Sequence, residues 1–225
     1  MTTVHTIERP PQIPHEDAPP LLLLLHGFGS NEHDLMGLSP YLDKRLHIVS
    51  ARAIFDVGFG FGWYYLYGVP GNLISDDATR AKSLEVLTNF IGDLPGRLGT
   101  DPRRLYLLGF SQGAVMSLNL ALTVPHLVAG AIVASGYLDE KVLPRVQPDS
   151  LSHLDFLVMH GTEDDLITVE GGQGIRDYLE TLPVQLTYRE YPIGHGIHPD
   201  ALSLIPQWLS SRIDQDKPRE DAQGV

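Results

Sequence analysis

A serine stands between two glycines at Gly109-Phe110-Ser111-Gln112-Gly113, with the apolar run LYLL before it and AVM after it. A serine hydroxyl is a weak nucleophile until a neighbouring base takes its proton. The motif therefore points to acyl transfer only if a base and an orienting acid reach the same place. Alone it is weak evidence. With 22 glycines in 225 residues, about one such chain in ten would carry Gly-x-Ser-x-Gly by chance. The competing role for Ser111 is a helix N-cap, a position that serine favours.

The base has to be chosen among ten histidines. His195 and His198 come late, in YPIGHGIHP, after the acidic segment HGTEDD. Gly194 and Gly196 flank His195 and suit a ring held on a tightly turning loop. His198 precedes Pro199 at a helix start, where a solvated histidine is ordinary. His195 is the preferred base. Glu163, Asp164 and Asp165 all stand where the acid that orients the imidazole is needed. An oxyanion formed at Ser111 needs backbone N–H donors. Gln112, the residue after the nucleophile, supplies one, and Phe28 in His26-Gly27-Phe28-Gly29-Ser30 supplies the other. That second loop has neither a P-loop lysine nor Gly-x-Gly-x-x-Gly spacing, so phosphate binding is set aside.

These residues must be delivered by a scaffold. Residues 3–9 read as a short edge strand. Strands are expected at 21–25, 46–51, 104–108, 128–134, 154–159 and 184–191, and helices at 34–45, 76–98, 112–124, 169–182 and 199–212. Continuous apolar strands alternating with helices imply a mostly parallel sheet with helices on both faces. In such a sheet reactive groups gather at the carboxyl ends of the strands. The runs at 21–25, 105–108, 154–159 and 184–191 end in HGFGS, GFSQG, HGTEDD and GHG. Serine, acid and histidine thus arrive at one edge, in the chain order of the α/β-hydrolase triad. Residues 1–213 read as one such domain, and 214–225 as a polar, disordered tail.

Composition narrows the function classes. The net charge is -12, which disfavours nucleic acid and anionic membrane surfaces as partners. There is no cysteine, which excludes a disulfide scaffold, a thiolate zinc site and a cysteine nucleophile, and fits a cytoplasmic setting. LLLLL at 21–25 is too short to span a bilayer. It follows two prolines without a basic leader, so no signal peptide is read. The spacing of His195 and His198, with no further ligands, does not make a metal site.

One segment stays ambiguous. GFGFGWYYLYG at 58–68 places Phe59, Phe61, Trp63, Tyr65 and Tyr67 at alternate positions, which predicts an extended stretch with one aromatic face. Two roles fit: the wall of an acyl or aryl pocket, with Trp63 and Tyr65 as substrate-binding residues, or a half-buried core strand.

From about Leu21 to Leu209 the chain resembles the phospholipase/carboxylesterase family of the α/β hydrolases. The matching segments are LHGFG followed by Asn31, Glu32 and Asp34, GFSQGA at 109–114, His160-Gly161 with Asp164, and Gly194-His195. The resemblance implies Ser111, Asp164 and His195 as the triad and Phe28 and Gln112 as oxyanion donors. It further implies a compact enzyme without a large lid, and no cofactor is expected. The expected activity is hydrolysis of short- to medium-chain carboxylic esters through an acyl-enzyme. Thioesterase or lysophospholipase activity with the same triad is the alternative, and a catalytically idle ligand-binding module is the rival from another class. The expected partner is a small-molecule ester, and a homodimer is left open.

Overall fold

The computed structural model describes residues 3–13, 17–69 and 72–215. In chain order the strands are β1 (Thr6–Arg9), β2 (Leu21–Leu25), β3 (His47–Ala51), β4 (Phe55–Asp56), β5 (Phe61–Gly62), β6 (Leu66–Val69), β7 (Asn72–Ser75), β8 (Leu105–Phe110), β9 (Gly130–Ala134), β10 (Asp155–Gly161) and β11 (Gln185–Tyr191). The helices are α1 (Asp77–Leu98), α2 (Gln112–Thr123), α3 (Val169–Leu179) and α4 (Ala201–Asp214). Seven strands form one sheet in the order β1-β3-β2-β8-β9-β10-β11. Every neighbouring pair is parallel except β1 with β3, which closes one edge antiparallel.

The leucine run explains the centre of this sheet. All five leucines of β2 are fully buried. Because side chains alternate across a strand, Leu21, Leu23 and Leu25 join the layer formed by Leu84, Leu87 and Ile91 of α1, Met116 and Leu120 of α2, and Ile175 and Leu179 of α3. Leu22 and Leu24 join the opposite layer with Ile205, Trp208 and Leu209 of α4. A strand covered on both faces has no place for the polar alternation of a half-exposed strand. α1 begins where Asp76 accepts the Thr79 N–H at 2.7 Å and stops at Gly99, which takes up a left-handed conformation.

Two expected elements differ. Residues 34–45 do not form an α-helix; a 3-10 helix spans Leu35–Tyr41. Pro40 has no N–H to give to an α-helical ladder, and Gly37 adds no side-chain support. The aromatic segment is not one extended stretch. β4 pairs with β5 and β6 with β7, as two short antiparallel hairpins, with Trp63 and Tyr64 between them. At the C-terminal end, Asp214 belongs to α4 and receives Arg45 at 2.6 Å. The rest of the expected tail, from residue 216, lies outside the described residues.

The loop that follows β2 is fastened to its neighbours. Glu32 is buried, and its carboxylate accepts both arms of the Arg52 guanidinium, one at 2.6 Å. Arg52 in turn lies over the Phe61 ring, 4.6 Å from its centre. The hydrogen bonds from Arg52 push the Glu32 carboxyl down to about 2. A carboxyl so lowered stabilises the fold fully above its unfolded value and loses that contribution as pH falls through its folded value. The gap in urea midpoint between the protein and Glu32→Gln is therefore expected to be full at neutral pH and to close as pH drops from 4.5 towards 2. A gap that holds constant across that window would contradict the assignment.

Candidate active site

The site is built where β8 turns into α2. Ser111 has φ 54° and ψ -117°, left-handed backbone that a non-glycine residue adopts only where its surroundings enforce it. Two close contacts enforce it here. A Cβ on Gly109 would overlap the Gly113 carbonyl, and a Cβ on Gly113 would overlap the Leu25 carbonyl at the end of β2. Glycine at both positions lets the chain reverse at once and lets α2 begin against the neighbouring strand. Ser111 caps no helix N–H with its side chain, so its hydroxyl is available to a base.

That base is in place. The Ser111 hydroxyl donates to His195 Nε2 at 2.9 Å, and His195 Nδ1–H donates to Asp164 Oδ2 at 2.7 Å. Asp164 is buried, and its other oxygen accepts the N–H groups of Leu166 and Ile167 at 3.0 and 2.9 Å. Three N–H donors thus converge on a carboxylate cut off from water. His160 Nε2 lies 3.5 Å from Oδ2 and donates to the Ile167 carbonyl at 2.7 Å. Of the three acids left open by position, Glu163 and Asp165 are exposed. His198 stacks on Tyr191 with ring centres 5.0 Å apart, away from the serine.

The His195 loop hangs between β11 and α4 and is tied to the acid's loop. Thr162 N–H donates to the Tyr191 carbonyl at 2.8 Å and Glu163 N–H to that of Ile193 at 3.1 Å. The Phe110 ring packs on the imidazole, with centres 5.0 Å apart. β8, β10 and β11, which carry the three residues, are held in a common parallel register through β9. The sheet therefore fixes the spacing of groups that lie 84 and 31 residues apart in sequence.

Gln112 opens α2, so its N–H has no acceptor one turn earlier in the helix. In the facing loop, Gly29 N–H donates to the Phe61 carbonyl at 2.9 Å and Ser30 N–H to that of Gly27 at 3.3 Å. Among the described residues none takes the Phe28 N–H. His26, fully buried beneath this loop, is kept neutral because burial lowers its pKa. Its Nδ1–H donates to the Gly27 carbonyl at 2.7 Å and its Nε2 accepts the Ala53 N–H at 3.0 Å. Two amide donors and a hydrogen-bonded serine, histidine and aspartate are the arrangement needed to attack a carbonyl and hold the resulting oxyanion.

The pocket-wall residues are placed differently. Trp63 is fully buried, and its indole N–H donates to the His26 carbonyl at 2.9 Å. It lies beneath the loop rather than on a solvent-facing wall, because that carbonyl draws the indole inward. Tyr65 packs its ring on Phe55 at 5.1 Å, and its main chain is tied to Thr79 and Asp76 at the start of α1. Two further ring contacts involve Phe110, which was not singled out in the sequence as a wall residue, and Phe59 from the aromatic segment itself. Phe110 touches His195, and the exposed Phe59 stands edge-on to Phe28 at 5.9 Å.

Comparison with known proteins places this site in a family. The phospholipase/carboxylesterase family model matches residues 11–213. A probable carboxylesterase of Oryza sativa subsp. japonica is 26% identical over 164 residues, covering 71% of this chain and 61% of its own length. The carboxylesterase SOBER1 of Arabidopsis thaliana is 29% identical over 118 residues, 51% of each chain. The chain thus spans only half to three-fifths of the length of these relatives. The crystal structure of the Bacillus cereus carboxylesterase superposes with a TM-score of 0.80 at 20% identity, over 92% of this chain and 94% of that one. Esterase PE8 superposes with a TM-score of 0.73 at 26% identity, over 92% and 98%. No helix among the described residues is long and apolar enough to cross a membrane. The fold is that of the α/β hydrolases, and the chain belongs to the phospholipase/carboxylesterase family.

Proposed function

We propose that the protein is a serine carboxylesterase that hydrolyses short- to medium-chain carboxylic esters through an acyl-enzyme, in the cytoplasm and without a cofactor. The observation that carries this reading is the unbroken hydrogen-bond chain from Ser111 through His195 to Asp164 at a strained strand-to-helix turn. Ser111 Oγ attacks the ester carbonyl as its proton passes to His195 Nε2. The Phe28 and Gln112 N–H groups receive the negative oxygen. The tetrahedral intermediate collapses, and the imidazolium returns its proton to the departing alkoxide. Water then repeats the sequence on the acyl-enzyme and frees the acid. Asp164 holds the Nδ1–H tautomer and stabilises the imidazolium without itself taking the proton. Phe110, whose ring packs on His195, and the exposed Phe59, edge-on to Phe28, are the apolar side chains we assign to the surroundings of an acyl group. Likeness to a probable carboxylesterase of Oryza sativa subsp. japonica and to the carboxylesterase SOBER1 of Arabidopsis thaliana supports the same reading.

Ser111→Ala is expected to abolish turnover of a chromogenic ester while leaving the melting temperature near that of the unaltered protein. A fluorophosphonate probe should label only the unaltered protein. Labelling of Ser111→Ala at the same level would sink the nucleophile assignment.

The two adjacent aspartates give a sharper comparison. Asp164→Asn keeps the shape but favours the wrong histidine tautomer, and kcat is expected to fall by up to ~10⁴-fold. Asp165 is exposed, and Asp165→Asn is expected to cost no more than a few-fold because its charge is screened by water. kcat for both variants on one ester decides the matter, and a crippled Asp165→Asn beside an active Asp164→Asn would move the acid by one residue.

A further inference from the structure

The oxyanion donors proposed above lie on two separate segments. Phe28 follows β2 and Gln112 starts α2, 84 residues later, so no local chain geometry sets the distance between their N–H groups. A path of buried side-chain hydrogen bonds joins them. The Gln112 side chain is 3% exposed; its Oε1 accepts the Trp63 N–H at 2.8 Å and its Nε2–H donates to the Tyr64 carbonyl at 2.7 Å. Trp63, clamped by this amide, then donates its indole N–H to the His26 carbonyl at 2.9 Å, two residues before Phe28. Ser83 of α1 donates to the Trp63 carbonyl and removes the remaining freedom of that residue.

We propose that the Gln112 side-chain amide and the Trp63 indole N–H are positioning groups that set the separation of the two oxyanion-hole donors. This rests on the ester-hydrolase reading and deepens it. Space-filling alone does not account for the arrangement. A leucine or methionine at position 112 would fill a similar volume without burying an amide whose two polar ends both require partners, and leaving either end unpaired there is costly. Both ends are satisfied, and by the main chain of one dipeptide, so the planar amide fixes Trp63 in orientation as well as in distance. Trp63 in turn has one polar side-chain atom, and it is spent on the His26–Gly27 peptide, one peptide before the one that carries the Phe28 N–H. An oxyanion hole works only with donors about 2.7–3.1 Å from the developing charge. Displacing one by about 1 Å can cost ~10²-fold.

The full chain is assayed on one chromogenic ester, alone and as Gln112→Ala, Gln112→Met and Trp63→Phe. The methionine variant keeps the volume at position 112 should alanine unfold the protein, and Trp63→Phe removes the indole N–H while keeping an aromatic ring. Leu209→Ala, in the layer on the opposite face of the sheet, serves as a variant that lowers stability alone. Affinity for a boronic acid is measured in parallel. The Ser111 oxygen bonds to boron as its proton passes to His195, and the tetrahedral anion places an oxygen in the hole. Each Gln112 or Trp63 variant is expected to lose ~10–10²-fold in kcat with KM within about three-fold, and boronate affinity should fall with kcat. The double variant Gln112→Ala/Trp63→Phe should lose little more than the worse single one, because both cut the same path. Leu209→Ala should lower the melting temperature and keep kcat. Turnover in the unaltered protein together with kcat retained within about three-fold in all Gln112 and Trp63 variants would overturn this inference alone. No turnover in the unaltered protein would overturn the hydrolase reading, and this inference with it.

Discussion

The first turn of α2 lies so close to the end of β2 that one Cβ on Gly113 would overlap the Leu25 carbonyl. That approach brings Gln112 and its free N–H towards the loop that holds Phe28. It also leaves the chain no room for an ordinary turn, because the Gly109 side of the reversal is filled by the Gly113 carbonyl. The left-handed backbone of Ser111 follows from these two contacts. The sheet supplies the counterweight. β2 and β9 are apolar and buried along their whole length, and β8 and β10 are buried through their apolar centres, so the strand ends that frame the turn cannot drift apart without exposing the core.

Around this turn most of the buried polar groups have partners among the described residues; His160 Nδ1, on the histidine beside the acid, has none. Asp164 is shielded from water and filled on both oxygens. His26 is neutral, with one nitrogen donating and the other accepting. The Gln112 amide and the Trp63 indole are satisfied by main-chain groups of neighbouring segments. In a region of low dielectric such bonds are stiff, and one left unmade is costly. The consequence is that the Ser111 hydroxyl, the His195 imidazole and the Asp164 carboxylate are already in line without a ligand.

Much of this was legible in the sequence because it depends on residue type at strand ends. Five leucines in a row can only be a strand covered on both sides or a short piece of buried helix, and the glycines after them decide for the strand. The order of Ser111, the acidic cluster and His195 follows from which segments end at the same sheet edge. Choosing among Glu163, Asp164 and Asp165 took a resemblance to known chains, because three adjacent acids look alike until the loop turns one of them inward. For a related reason the extended shape expected of the aromatic segment does not hold. Alternation at period two registers which residues share a face of an extended strand, but hairpins at β4–β5 and β6–β7 break the extension, and the His26 carbonyl pulls Trp63 under the loop. The Gln112 side chain was invisible to pattern altogether. Its partners are main-chain atoms some 50 positions away, and main-chain atoms leave no mark in a sequence. Residues 34–45 read as a helix from their apolar spacing, whereas Pro40 limits them to a 3-10 turn.

The central claim is that Ser111 attacks a carbonyl whose oxygen comes to rest between the Phe28 and Gln112 amides. The most direct test is a crystal structure of the protein after reaction with an alkyl fluorophosphonate. The account predicts phosphorus bonded to Ser111 Oγ, with the phosphoryl oxygen about 2.7–3.1 Å from both the Phe28 and Gln112 nitrogens. Phosphorus on any other residue, or a phosphoryl oxygen turned to solvent with both amides unoccupied, would contradict it.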